Sequence, residues 1–188
     1  MLGGRSELAR GDAERAQRRL EAIAEPDAEA LLVLAHGAGA PMDSDFMNAM
    51  AEAVANQGIS VVRFEFPYMV KRREDGRKRP PDRQPALLAA FEDQVSLARE
   101  ELGSQVPLLV GGKSMGGRMA TLLAAGKFRD IDGVACYGYP FHPPGKPERT
   151  RIEHLQQIGC PGLIVQGTRD PFGKPDEVAA YPLDPALQ

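Results

Sequence analysis

The stretch Val106-Pro107-Leu108-Leu109-Val110-Gly111-Gly112-Lys113-Ser114-Met115-Gly116-Gly117-Arg118-Met119 decides the fold of this chain. It opens as a short apolar run, VPLLV, and closes as a helical pattern, RMATLLAA, with a G-x-S-x-G from Gly112 to Gly116 at the junction. A serine on so sharp a strand-to-helix turn is strained and thrust clear of the backbone. Glycines flank it because side chains there would collide with the neighbouring strand and helix. Ser114 also falls at a helix N-terminus, whose free N–H groups and dipole favour a developing anion. The sequence therefore predicts Ser114 as a nucleophile, the competing reading being a plain glycine-rich turn.

Working upstream, the apolar run Ala30 to Ala35 (ALLVLA) is followed by His36-Gly37-Ala38-Gly39-Ala40. This is similar to the H-G-G-G loop that supplies oxyanion donors. Two N–H groups must converge on one point; the pattern predicts those of Ala38 and of Met115, the residue after the nucleophile. A phosphate-binding loop is the alternative, but GAGAP matches neither G-x-G-x-x-G nor G-x-x-x-x-G-K-[ST]. His36 is expected to pin the loop by hydrogen bonds and not to act as base.

Downstream, Gly162 to Gln166 (GLIVQ) leads into Gly167-Thr168-Arg169-Asp170-Pro171-Phe172. Catalytic groups of a doubly wound sheet gather at the carboxyl ends of its strands, so Asp170 is the expected triad acid, against the simpler reading of an Asp-Pro turn. Serine, acid, histidine is the expected order, yet none of the 18 residues after Asp170 is His. We expect a chain cut short before its base, the competing explanation being a natural protein that has lost it. His142, in the loop PFHPPGKPE after Gly133 to Tyr137 (GVACY), is the candidate substitute base, with loop packing as the alternative. His154 reads as an exposed position on a short helix.

Continuous apolar runs, not alternating ones, suit strands covered on both faces. Ile59 to Phe66 adds one more run. Between them, Asp43 to Asn56 reads as a helix capped by Asp43 or Ser44 and stopped at Gly58, and Pro85 to Leu102 as one stopped at Gly103. Shorter helices are expected over Arg149 to Ile158 and Pro175 to Tyr181. Strands alternating with helices predict an α/β fold with a mainly parallel open sheet flanked on both faces. The stretch after GVACYGY is too short for a cap domain, which predicts an open, shallow site. Residues 1–25, with helical potential over Glu14 to Ile23, read as a mobile or edge segment; residues 26–188 read as one domain lacking its last strand and helix. Lys71 to Arg83 (KRREDGRKRPPDR) is expected to be a basic surface loop.

Twenty-three Lys and Arg against 26 Asp and Glu leave a net charge of −3, which gives no bulk attraction to nucleic acid or anionic membranes. No run approaches the roughly 20 apolar residues of a membrane span, and the N-terminus lacks a signal peptide's apolar centre. The expectation is a cytoplasmic protein. Cys136 and Cys160 sit beside apolar runs and read as buried free thiols.

Taken together, HGAGAPMDSDFM, VRFEFPYM, GGKSMGGRMA, YGYPFHPPGKPERTR and VQGTRDPFG resemble the small α/β-hydrolase-like family typical of bacteria. That family is similar to dienelactone-hydrolase-type enzymes and to mammalian testis-expressed and chromatin-complex relatives. The resemblance spans about Ala30 to Tyr181. It implies Ser114 as nucleophile, Asp170 as acid and HGAGA in the oxyanion region, with a histidine beyond the Asp-Pro-Phe loop. The expected activity is hydrolysis of a small ester or thioester with no metal or organic cofactor. The chromatin-associated relatives imply the alternative, a non-catalytic module that docks a partner through its basic or Pro-rich loops.

Overall fold

A computed structural model of the chain describes residues 5–6, 20–24, 27–102, 105–126 and 130–188. Five parallel strands form its centre: β3 (Ala30–Ala35), β4 (Ile59–Phe64), β5 (Leu108–Lys113), β6 (Gly133–Tyr137) and β7 (Gly162–Val165). Two short antiparallel strands, β1 (Arg5–Ser6) and β2 (Leu20–Ile23), extend the edge beyond β4, giving the order β1-β2-β4-β3-β5-β6-β7. The helices are α1 (Asp45–Ala55), α2 (Pro67–Asp75), α3 (Gln84–Leu102), α4 (Met115–Ala124) and α5 (Pro175–Ala179).

Alternate residues of each central strand serve opposite faces. Leu32, Leu34 and Val61 pack under Met47, Ala51 and Ala55 of α1. Leu31, Val33, Ala35, Val62, Phe64 and Val110 pack on the other face against Phe91 and Val95 of α3 and Met119 and Leu123 of α4. Burial on both faces is what continuous apolar runs predict. Both cysteines are buried free thiols.

Chain direction across the sheet reverses after β4: β3 steps outward to β4, and the chain then returns past β3 to β5 and onward to β6 and β7. The switch point therefore lies between the carboxyl ends of β3 and β5, the crevice where ligands bind in open α/β sheets. His36 to Ala40 leave β3 there, and Ser114 leaves β5.

Three local expectations are corrected. Leu20–Ile23 form strand, pairing Leu20 with Phe64 and Ile23 with Val61, so the helical potential of Glu14 to Ile23 fails where it can be checked; its remainder, like most of 1–25 and the Gly103 stop, lies outside the described residues. The first five residues of the basic interval are helical, because Pro67 starts α2 at its first turn and Gly76, at φ +69°, ends it. Arg149 to Ile158 shrinks to a 3₁₀ turn at Glu153–Gln156. Ala186–Gln188 form a short ladder beside β7, with Gly162 N–H donating to Ala186 O at 3.0 Å and Ile164 N–H to Gln188 O at 2.8 Å. No described helix is long and apolar enough to cross a membrane.

Candidate active site

Ser114 is the N-cap of α4 and, among the described residues, the one non-glycine with positive φ, at +51°. Such a conformation is uncommon outside glycine and persists only where surroundings enforce it. The enforcement is visible in the packing. A Cβ on Gly112 would stand 2.6 Å from Ala35 O and from Gly116 C, and one on Gly116 2.5 Å from Ala35 O. Helix α4 thus starts directly against β3 and β5, which only glycine permits. Ser114 N–H donates to Tyr137 O of β6 at 2.9 Å, and Arg118 N–H to Ser114 O at 3.0 Å, so the turn is anchored on both sides. The Ser114 side chain has no hydrogen-bond partner among the described residues, which leaves it presented at the crevice.

The loop after β3 is held from behind. His36 is buried; its Nδ1 lies 2.6 Å from Gly37 O, and its Nε2 accepts from Phe66 N–H at 3.1 Å. These partners fix the neutral tautomer with hydrogen on Nδ1, and burial above all pulls its pKa down to about 4. The Tyr68 hydroxyl donates to Ala38 O at 3.1 Å and lies 3.4 Å from Gly37 O. Burial raises the Tyr68 pKa above its ordinary value and keeps it a donor. Gly37 approaches the elbow closely enough that a Cβ on it would lie 3.4 Å from Lys113 O and 3.9 Å from Ser114 Cβ. Ala38 is exposed. Both expected oxyanion donors therefore belong to segments that meet at the switch point.

Asp170 follows β7. Its N–H donates to Gly167 O at 3.0 Å and its Oδ1 accepts from Phe172 N–H at 2.9 Å. Its Oδ2 lies 3.3 Å from where a Cβ of Gly138 would stand, and Gly138 directly follows the Tyr137 that anchors Ser114. Ser114 and Asp170 thus flank the carboxyl end of β6.

His142 is 2 % exposed and points elsewhere: Nδ1 lies 2.9 Å from Pro143 O and Nε2 3.3 Å from Glu177 Oε2. Its ring hydrogen-bonds neither Ser114 nor Asp170. His154 is half-buried and not exposed, Nε2 lying 2.9 Å from Thr121 Oγ1 and 3.3 Å from the Tyr139 hydroxyl, because its segment folds against α4. Burial first, then the charge of Arg118, hold its pKa at about 4.

Sequence reading missed Tyr68, although Pro67 right after an apolar run was the available sign of a helix start there. It also missed the charges beneath the loop. Arg63 and Glu65 are buried on β4 and the turn after it; Glu65 Oε1 accepts from Arg73 Nε at 2.6 Å, and Arg63 donates to Met42 O and to Glu21.

The family model for the alpha/beta hydrolase domain matches residues 28–188. Among solved structures, a dienelactone hydrolase from Anabaena variabilis superposes with a TM-score of 0.66 at 18 % identity, over 86 % of this chain and 71 % of that one. An alpha-beta serine hydrolase homologue from Coxiella burnetii gives 0.66 at 18 % identity, over 87 % and 74 %. An esterase of Pyrococcus furiosus gives 0.69 at 14 % identity, over 91 % and 74 %. No curated protein matched.

Proposed function

The chain belongs to the alpha/beta-hydrolase family, and from that premise we propose that it is a serine hydrolase of small esters or thioesters. In this reading Ser114 Oγ bonds to the substrate carbonyl carbon as its proton passes to a base. The N–H groups of Ala38 and Met115 hold the resulting oxyanion. Collapse breaks the bond to the leaving oxygen or sulfur, which takes up a proton, and water then releases the acyl group from Ser114. Asp170 is assigned the acid that orients the base. The chemistry calls for no metal or organic cofactor.

The observation that carries the proposal is the backbone of Ser114, held at φ +51° by glycine contacts no side chain could make. The experiment is labelling of the full-length gene product with a fluorophosphonate. Labelling that disappears in Ser114→Ala is expected; no serine-dependent labelling sinks the reading.

One observation favours the second reading, a hydrolase-fold module that binds a partner without catalysis. His36, His142 and His154 have their hydrogen-bonding nitrogens committed to groups other than Ser114 and Asp170. An unlabelled protein that keeps its partners in pull-down, and loses them when the exposed basic residues of 71–83 are neutralised, supports this module.

A further inference from the structure

Strand β7 ends at Val165, opposite Tyr137 of β6, and after Gln166 the chain turns through Gly167-Thr168-Arg169-Asp170-Pro171-Phe172-Gly173. The turn is closed by its own backbone, Asp170 N–H donating to Gly167 O at 3.0 Å and Gly173 N–H to Asp170 O at 3.3 Å. Phe172 N–H donates to Asp170 Oδ1 at 2.9 Å, whereas Oδ2 has no hydrogen-bond partner among the described residues. The carboxylate is thus oriented within the turn, with one oxygen left to offer outside it. Where that oxygen stands depends on where the turn stands.

Gln166 occupies the neck of the turn. Its Nε2 donates to Gly173 O at 3.2 Å and to Tyr139 O at 3.3 Å. Both partners are carbonyls, which only the NH₂ end of the amide can meet. The first contact joins the residue before the turn to the residue that ends it. The second fastens this neck to the segment after β6, two residues beyond Tyr137, whose carbonyl accepts from Ser114 N–H at 2.9 Å. One amide therefore sets the acid turn against the strand end that anchors the proposed nucleophile. Among the described residues no other side chain from outside the turn hydrogen-bonds to it. Its far side is met by backbone, His142 N–H donating to Phe172 O at 3.2 Å, and by the Phe141 ring, 2.6 Å from where a Cβ on Gly173 would stand.

Stability alone does not account for a glutamine here. Its Oε1 is buried and has no hydrogen-bond partner. Enclosing one unmet acceptor costs about as much as two neutral hydrogen bonds return. Methionine would remove that orphan and release Gly173 O, while Tyr139 O would keep Phe141 N–H at 3.0 Å. The exchange is near even. What the amide supplies beyond an apolar side chain of similar length is the fixed placement of the turn.

We propose that Gln166 is a positioning residue for Asp170, its amide setting the acid against the strand end that anchors Ser114. The role of Asp170 as acid rests on the serine-hydrolase reading, and the hold on the turn rests on the contacts of Gln166 alone, so the two are tested apart. With p-nitrophenyl acetate and the full-length gene product, Gln166→Met is expected to lower kcat about tenfold or more, KM staying within about twofold. Its melting temperature is expected to stay within about 3 °C. Gln166→Glu keeps the shape and loses the donors; it is expected to match, and it answers even if the methionine variant fails to fold. In an Asp170→Asn background Gln166→Met is expected to cost less than about a further twofold, because the carboxylate it sets is gone. Amide hydrogen exchange reads the turn itself. The N–H groups of Asp170 and Gly173 are expected to exchange about tenfold faster or more in Gln166→Met, while that of Arg118, bonded to Ser114 O, keeps its rate. Unchanged kcat, the full loss repeated in the Asp170→Asn background, or unchanged exchange within the turn overturns the proposal. A full-length protein inert to the ester and unlabelled by fluorophosphonate sinks the serine reading, and the exchange measurement alone then decides whether Gln166 holds the turn.

Discussion

The hydroxyl of Tyr68 donates to the carbonyl of Ala38 at 3.1 Å, from a helix 30 residues further along the chain. It lies also 3.4 Å from Gly37 O, which His36 Nδ1 approaches to 2.6 Å. Gly37 C=O and Ala38 N–H belong to one trans peptide and point opposite ways. His36 Nδ1–H, gripping the Gly37 carbonyl from behind, therefore aims the Ala38 N–H forward, and the Tyr68 hydroxyl fixes the peptide that follows by holding Ala38 O. Preorganised donors are effective in catalysis because they need no reorientation as charge develops. Tyr68 is thus a positioning residue in the proposed chemistry, acting through the backbone of the loop after β3.

Removing that hydroxyl tests the point. Tyr68→Phe keeps the buried ring, which packs 5.9 Å from His36 between ring centres, and removes only the donor. The expected result is a fall in kcat of about tenfold, smaller than the 10²–10³ typical of deleting an oxyanion donor itself, with KM little changed. Affinity for a boronic acid that mimics the tetrahedral state should fall in parallel. A merely structural role would instead lower the melting temperature and leave kcat intact, and that outcome excludes the positioning role.

The elbow glycines give a contrast within one protein. Gly112→Ala places a methyl 2.6 Å from backbone atoms of both β3 and α4, neither of which can yield without parting helix from sheet. Gly58→Ala meets open space, and its cost comes from φ +79° alone. The second should cost ~1–2 kcal/mol, the usual penalty of a left-handed alanine. The first should exceed it by at least ~2 kcal/mol, as overpacking against rigid backbone does. Equal urea midpoints for the two variants would contradict the close approach seen at the elbow.

Sheet, central strands and elbow were legible because each rests on a local signal. ALLVLA and GVACY match β3 and β6 residue for residue, and Ser114 stands where the strand-to-helix glycine pattern places it. What escaped depends on partners distant in sequence. Helix α2 has only Tyr68 and Met69 buried, too few for a periodic signal, and is set by Pro67 and Gly76 at its ends. Leu20–Ile23 becomes strand only because β4 offers an open edge. Arg63 and Glu65 sit inside an otherwise apolar run because Glu21, Met42 and Arg73 reach them from three other segments, which no reading of the run could foresee.

That charge cluster yields a further prediction. The Glu65 side chain is fully enclosed, with Oε1 on Arg73 and 3.4 Å from Met42 N–H. Glu65→Gln preserves shape and removes the charge that offsets Arg73 at the base of the loop after β3. Uncompensated buried charge commonly costs ~3–5 kcal/mol; the partly exposed Arg73, which keeps Asp43 as a second partner, brings the expectation to about 2 kcal/mol. Equilibrium denaturation measures it. Adding Arg73→Met to Glu65→Gln should recover part of the loss, and strict additivity of the two losses would show that they do not act as a pair.

The histidines predict how stability varies with acidity. Burial holds His36 and His154 down to about 4, whereas an unfolded chain titrates near 6.5. Between those values the unfolded state binds more protons, so stability rises with pH across this window. The contribution is complete above pH 6.5 and is lost as pH falls toward 4. For the enclosed His36 the full difference corresponds to ~3 kcal/mol; the half-exposed His154 adds less. Protonation would also place hydrogen on His36 Nε2, facing the Phe66 N–H that it now accepts from, so the loop after β3 should loosen in the same range. Urea midpoints should therefore decline steadily from pH 7 to pH 4.5. His36→Gln should be less stable at neutral pH and show a shallower decline; an unchanged slope would show that His36 is not the group being titrated.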